Sequence, residues 1–214
     1  MAIDGPAGAG KSTLARALAH RLGFPYVNTG LMYRALAARA LESGVGPQDA
    51  AGLAALARSF RFSLEWNEGM VELAIDGRRP GRNLDSAEVE AVVSTTSSHP
   101  EVRNVMREEQ RRLGAAGCVM EGRDIGSVVF PDADVKLFLS ALPKERARRR
   151  KRERGGERAA AEAVTRRDAL DSRTNPLEPA PDAVVLDTTR LNPGQVLARA
   201  LAVIEAARPE GAGP

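Results

Sequence analysis

Cysteine is all but missing from this chain: Cys118 stands alone. No disulfide can close within it, and the strand-like surroundings of Cys118 mark it as a small apolar core residue. Aromatic residues make up only 4% of the 214 residues, so an interior drawn from the 43% apolar fraction has to be built of Ala, Leu and Val. Neither charge sign dominates. Lys and Arg number 31 against 28 Asp and Glu, a formal net charge of +3, which is no overall nucleic-acid signature despite a pI near 9.4. No apolar run reaches spanning length and no secretory leader precedes the first motif. A soluble cytoplasmic protein is expected, with no membrane partner and one α/β domain carrying insertions. The first strand has very few residues ahead of that motif, which leaves open a native start upstream of Met1. No internal repeat is evident, and only Pro209 to Pro214 reads as a disordered tail.

What is present begins at once. Residues 5 to 12 read Gly-Pro-Ala-Gly-Ala-Gly-Lys-Ser, a complete G-x-x-x-x-G-K-[ST] phosphate-binding loop between a short strand (Met1 to Ile3) and an amphipathic helix. Gly5, Gly8 and Gly10 let the backbone N–H groups turn inward, and the helix N-terminus faces the anion. Lys11 brings a point charge to the β/γ-phosphates, and the Ser12 hydroxyl is placed to ligate Mg²⁺. The ATP site is therefore expected on Gly5, Pro6, Ala7, Gly8, Ala9, Gly10, Lys11, Ser12 and Thr13. Leu14, Leu18 and Leu22 continue the helix, and Gly23 suits its C-terminal stop.

Further along, Pro25 to Val27, Gly117 to Met120, Val135 to Leu139 and Ala183 to Leu186 read as buried parallel strands. Helices are expected at Leu31 to Leu41 and Pro193 to Ala206. Together these predict a doubly wound, five-stranded parallel sheet built from residues 1–43, 114–143 and 174–214. Two segments interrupt it. Residues 44–113 hold a predicted hairpin, alternating at Phe60, Phe62, Leu64 and Trp66, turning at Asn67-Glu68-Gly69, and alternating again at Val71, Leu73 and Ile75. Helices at Ser86 to Ser97 and Pro100 to Leu113 complete that subdomain. Residues 144–173, dense in Arg and broken by Gly155-Gly156, have the layout of a mobile lid.

The lid run, Arg146, Arg148, Arg149, Arg150, Lys151, Arg152 and Arg154, has three readings: a nucleic-acid surface, a solvated helical face, or arginines closing over a transferring phosphoryl group. Interleaved aromatics are missing, which weighs against nucleic acid. No Asn-Lys-x-Asp guanine reader is present, and strand three ends in Met120-Glu121-Gly122 where a motor ATPase has Asp-Glu. Small-molecule kinases remain, and these need a second phosphate site. Arg34 and Arg123 lie on different elements, and two guanidinium forks there clamp one phosphate better than lysines do.

Ile3-Asp4-Gly5-Pro6-Ala7-Gly8, Asn28-Thr29-Gly30-Leu31-Met32-Tyr33-Arg34, Glu121-Gly122-Arg123-Asp124 through Phe130-Pro131-Asp132-Ala133, and Arg167-Asp168-Ala169-Leu170-Asp171-Ser172 together resemble the bacterial cytidylate kinases. The likeness covers essentially the whole chain, the long insert included. It implies a P-loop nucleoside monophosphate kinase acting as a monomer, with ATP as donor, CMP and dCMP as acceptors, and Mg²⁺ as cofactor. Lys11, Arg123, Arg167 and Asp171 would be the catalytic set. Arg34 and Arg123 would serve the acceptor phosphate, Ser94, Arg103 and Asp124 the cytosine edge, and Thr29 and Arg173 would join them in the CMP site. Arg167 and Asp171 would reach the acceptor ribose. Rival readings stand beside these: Asp124 as an orienter of Arg123, Ser94 as a helix cap, and Arg103 as a solvated arginine. His20 and His99 read as surface residues. Three departures from the family pattern are visible: Asn28 replaces its usual Asp, Asn83-Leu84-Asp85-Ser86 replaces an Arg-bearing stretch, and Arg173 directly follows Ser172, which obscures its role. Other expectations are a kinase for UMP or another small acceptor, and an ATP-switched nucleic-acid module.

Overall fold

The computed structural model describes residues 1–154 and 178–207. Its strands are β1 (Ala2–Asp4), β2 (Tyr26–Asn28), β3 (Phe62–Asn67), β4 (Met70–Ile75), β5 (Val119–Glu121), β6 (Lys136–Ser140) and β7 (Val184–Asp187). They form one sheet in the order β3-β4-β2-β5-β1-β6-β7. The five expected runs are all strands and all parallel, with Ile3 opposite both Glu121 and Leu137. The sheet nevertheless has seven strands where five were expected. The β3–β4 hairpin does not stand apart as its own small sheet: β4 pairs parallel to β2 at Tyr26↔Glu72 and extends the same sheet. Its two-residue turn puts both Glu68 and Gly69 at positive φ, the geometry that matches strand twist.

The helices are α1 (Lys11–Leu22), α2 (Thr29–Glu42), α3 (Ala50–Ser59), α4 (Ala87–Thr96), α5 (Pro100–Gly114), α6 (Pro143–Arg154) and α7 (Pro193–Ala206). The short, alanine-rich α3 was not expected, because five alanines and a glycine give it little apolar contrast. Asp49 caps it, accepting a hydrogen bond from the Gly52 N–H at 2.9 Å.

Both sheet faces are covered, and β1 shows why so short a strand suffices. Ala2 points into a core with α2 to α5, among Met32, Leu36, Leu53 and Met106. Ile3 points the other way, toward Leu14 and Leu18 of α1 and Val196 and Ala200 of α7. Helix α2 lies between the sheet and the insert helices, so Ala35, Ala37, Ala38 and Ala40 are all buried on it. Close helix approach through alanine replaces the missing aromatics. Buried Cys118 belongs to this core, and burial raises its thiol pKa.

Counting the five expected strands alone, numbered in chain order, the spatial order is 2-3-1-4-5. The chain reverses its direction of travel across the sheet beside β1, and ligands of open α/β sheets sit at the carboxyl ends of strands at such a point. The phosphate loop leaves β1 there.

Candidate active site

The loop's geometry is that of an anion cradle. Gly5, Gly8 and Gly10 have φ of 139°, 75° and 97°, and a Cβ on Gly5 would lie 2.1 Å from the Leu139 carbonyl oxygen. Gly10 occupies the N-cap of α1 without a side-chain cap, so the first N–H groups of the helix remain open to an anion. Lys11 folds back over the loop, its Nζ donating to the Pro6 carbonyl at 3.0 Å. Beneath it, Asp4 accepts from the N–H groups of Ile125 and Gly126 at 2.8 and 2.7 Å. Burial raises the Asp4 pKa, and those two donors partly offset the effect. They lock the π-helical turn Ile125–Val129 against β1.

Above the loop lies a cleft of about 850 Å³. Lys11, Ser12 and Thr13 line one wall; Thr29, Arg34, Ser94, Arg103, Arg123 and Asp124 line the rest. Every expected site residue outside the loop that falls among the described residues therefore meets in this cavity. Arg167, Asp171 and Arg173 lie outside the described residues, as does most of the expected lid.

Thr29 opens α2 and donates its hydroxyl to the Glu121 carbonyl at 2.8 Å. Asn28 caps the helix through the Leu31 N–H at 3.2 Å, a task its amide oxygen performs as the family's carboxylate would. Arg34 is buried. It donates to the Leu84 carbonyl at 3.0 Å and to Glu90 Oε2 at 2.6 Å, with Asp85 at 3.5 Å. Arg123 crosses to the loop and donates to the Gly5 carbonyl at 3.3 Å.

Asp124 pairs with two arginines of α5. Arg103 Nη2 and Arg107 Nη2 both reach its Oδ2, at 2.6 and 2.9 Å, and its ion pairs among the described residues do not include Arg123. Arg103, with its side chain only 13% exposed, is no solvated arginine. Ser94 does not cap α4, since Ser86 does so through the Val89 N–H; Ser94 lines the cleft. His20 is exposed, and His99 meets the Pro47 carbonyl at 2.8 Å.

The described arginines of α6 differ in what they hold. Arg146 is buried and donates to the carbonyls of Ala7 and Ala141 at 3.2 and 3.0 Å. Arg149 reaches the Ala9 carbonyl at 3.3 Å and the Thr188 carbonyl at 2.6 Å. With the Thr188 hydroxyl, also on Ala9 at 2.9 Å, they bind loop carbonyls that would otherwise be unpaired when the N–H groups turn inward. Arg148 pairs with Glu145 on the surface. Arg148 and Arg149 together hold the Glu145 pKa down to about 2. Arg150 reaches over to Glu90 at 3.5 Å.

Four residues of this site escaped sequence reasoning. Arg107 was legible in principle, lying four residues after Arg103 on one helix face. Glu90, Glu121 and Tyr33 gave no local signal. Glu121 is buried and accepts from the Tyr26 hydroxyl at 2.6 Å; burial, and then the adjacent Glu121 carboxylate, raise the tyrosine pKa well above its ordinary value. Tyr33 lines the cleft.

A phosphate loop at a strand crossover, facing a second cationic wall over one cleft, defines a P-loop phosphoryl transferase of the small-molecule kinase class. The cytidylate kinase family model matches residues 1–206. A cytidylate kinase from Pelotomaculum thermopropionicum is 42% identical over 98% of this chain and 97% of its own. Another from Geobacillus kaustophilus is 43% identical over 95% of each. This chain belongs to the cytidylate kinase family. A solved structure of TT1252 from Thermus thermophilus aligns over 96% of this chain and 95% of its own, at 27% identity and a TM-score of 0.43; at that score it adds nothing to the fold read from the strand order.

Proposed function

We propose that this protein transfers the γ-phosphoryl group of ATP to CMP, and to dCMP, giving ADP and the diphosphate. One observation carries the base choice. Asp124 presents a carboxylate into the cleft with both guanidinium contacts on Oδ2, and its Oδ1 accepts no hydrogen bond among the described residues. That oxygen suits the exocyclic amino group of cytosine, while Arg103 and Ser94 suit the carbonyl and ring nitrogen. Uracil turns a carbonyl toward the same carboxylate.

The chemistry follows from placement. The loop N–H groups and Lys11 hold the donor phosphates, and Arg34 with Arg123 holds the acceptor phosphate on the opposite wall. A phosphate monoester at neutral pH is already a nucleophile, so transfer is in line and needs no dedicated base. Ser12 would hold Mg²⁺, with phosphates and waters supplying the other positions. No cluster of three or more His, Cys, Asp or Glu able to hold a metal occurs among the described residues. When bound, Mg²⁺ supplies charge neutralisation at the phosphate oxygens. We take residues 44–113 as the acceptor-binding insert and 144–173 as the lid that excludes water. The resemblance assigns Arg167 and Asp171 to catalysis and the acceptor ribose, and adds Arg173 to the acceptor site. One chain supplies both walls of the cleft, so a monomer is the working unit. No described helix is long and apolar enough to cross a membrane; action in the cytoplasm is part of the proposal.

The test is ADP release with CMP, dCMP, UMP and AMP as acceptors. CMP and dCMP are expected to lead, by up to about 10⁴-fold over UMP for a site built on a hydrogen bond the analogue lacks. Asp124→Asn is expected to narrow that gap, because an amide can turn a donor toward the uracil carbonyl. Equal use of UMP by the wild type refutes the base assignment.

A further inference from the structure

Arg107 is unusual among the arginines that contact residues of the cleft. Its Nη2 sits 2.9 Å from Asp124 Oδ2, yet its Nε is buried with no hydrogen-bond partner. A buried, orphaned donor is disfavoured, so packing this guanidinium for its own satisfaction does not explain its position. Its relation to Asp124 does. Arg103 and Arg107 stand one turn apart on α5 and converge on the same carboxylate oxygen. In the proposed site Arg103 has a second task, reading the base. When Arg103 turns to the base, a carboxylate held by Arg103 alone would become a buried charge without a partner and free to rotate.

We infer that Arg107 is the positioning residue for base choice: it keeps Asp124 fixed by Oδ2, with Oδ1 turned to the acceptor, while Arg103 exchanges partners. The inference rests on the reading of Asp124 as the base reader. Arg107 itself touches no substrate. It separates two functions that one arginine cannot serve together, anchoring the carboxylate and contacting the base.

The test compares Arg107→Met, Arg107→Lys and Asp124→Asn with the wild type, measuring kcat and KM for CMP and UMP and KM for ATP. Arg107→Met is expected to raise the CMP KM about tenfold and to lower the CMP-over-UMP preference by a similar factor, the size of one lost hydrogen bond to a charged group. The ATP KM should hold, which also shows that the protein is folded. Arg107→Lys is expected to recover most of the preference, since an ammonium still supplies a donor and a charge. If Asp124→Asn narrows the preference and Arg107→Met lowers CMP and UMP use equally, Arg107 is merely structural and the inference is overturned. If neither variant changes the preference, the base reading fails and the inference falls with it. Should Arg107→Met not fold, a wild-type preference in a folded Arg107→Lys supports the role, and a fully lost one refutes it, because a cation at this position would then not suffice.

Discussion

Glu90 occupies an awkward place for the proposed function, because its carboxylate lies 2.6 Å from Arg34 Nη2, the guanidinium proposed to bind the acceptor phosphate. The perturbation we propose is Glu90→Gln. Two effects oppose each other. The glutamine keeps an oxygen for Arg34, with the Leu84 carbonyl and Asp85 still beside the guanidinium, so orientation is largely retained. It also removes a negative charge facing the incoming dianion. At about 5 Å and an effective dielectric of about 20, one pair of unit charges interacts by roughly 3 kcal/mol. Solvent at the cleft mouth and relaxation of Arg150, which also reaches Glu90, cut this to about 1 kcal/mol, or roughly fivefold in affinity. Without ligand the sign reverses. Arg34 and Glu90 are both largely buried, 7% and 13% exposed in their side chains, and unpairing a buried cation is destabilising. The expected result is a CMP KM lowered about fivefold, an unchanged ATP KM, and a lowered melting temperature that CMP restores more than in the wild type. The assays are steady-state ADP release and thermal unfolding with and without CMP. A CMP KM that rises while the ATP KM holds would refute the reasoning, showing that Glu90 orients Arg34 for the phosphate.

Three more expectations concern the loop and its opposite wall. Lys11→Ala abolishes turnover and leaves the melting temperature near wild type, because the side chain lines the cleft and is not in the core; ADP release and thermal unfolding check both halves. Arg34→Met and Arg123→Met each weaken CMP use far more than ATP binding, and their losses are strongly non-additive if both forks hold one phosphate; a double-mutant cycle on kcat/KM returning a plain sum would disprove the shared clamp. Arg146→Met leaves the Ala7 and Ala141 carbonyls short of a donor inside the fold. It is expected to lower stability by about 2–4 kcal/mol and to weaken ATP binding, read by denaturant unfolding and nucleotide titration; a loss of kcat alone would place this arginine at the transition state.

What was legible in the sequence was whatever repeats locally. The five apolar runs, the glycines of the loop and the alternation on both sides of Asn67-Glu68-Gly69 each carry their own period or steric signature, and all became the elements they suggest. The edge of the sheet was not legible, since nothing in Met70–Ile75 states that Glu72 will lie opposite Tyr26; that pairing depends on where the insert returns. Helix α3 was hidden by its alanines. In the site, single residues could be nominated but not their partners. Arg34 was nominated for a phosphate, whereas its contact with Glu90 joins residues 56 apart, and no local pattern encodes such a distance. The α6 arginines mislead most, because a basic run reads alike whether it faces solvent, substrate or, as with Arg146 and Arg149, the carbonyls of the phosphate loop.

That last arrangement points to how the cleft is kept ready. Among the described residues, each guanidinium proposed for an acceptor contact is already held by a protein oxygen: Arg34 by Glu90, Arg103 by Asp124 and Arg123 by the Gly5 carbonyl. Binding the acceptor is then an exchange of partners within a preorganised wall, and the guanidinium groups need not be stripped of bulk water and ordered at that moment. The exchange favours ligands that return at least what they displace. A nucleotide with both a phosphate and an amino-bearing base does so at Arg34 and at Asp124 together. Inorganic phosphate or water satisfies one group and leaves the other with its protein partner. On the proposed reading, a cleft wired this way would discriminate against incomplete acceptors, which would limit transfer to water.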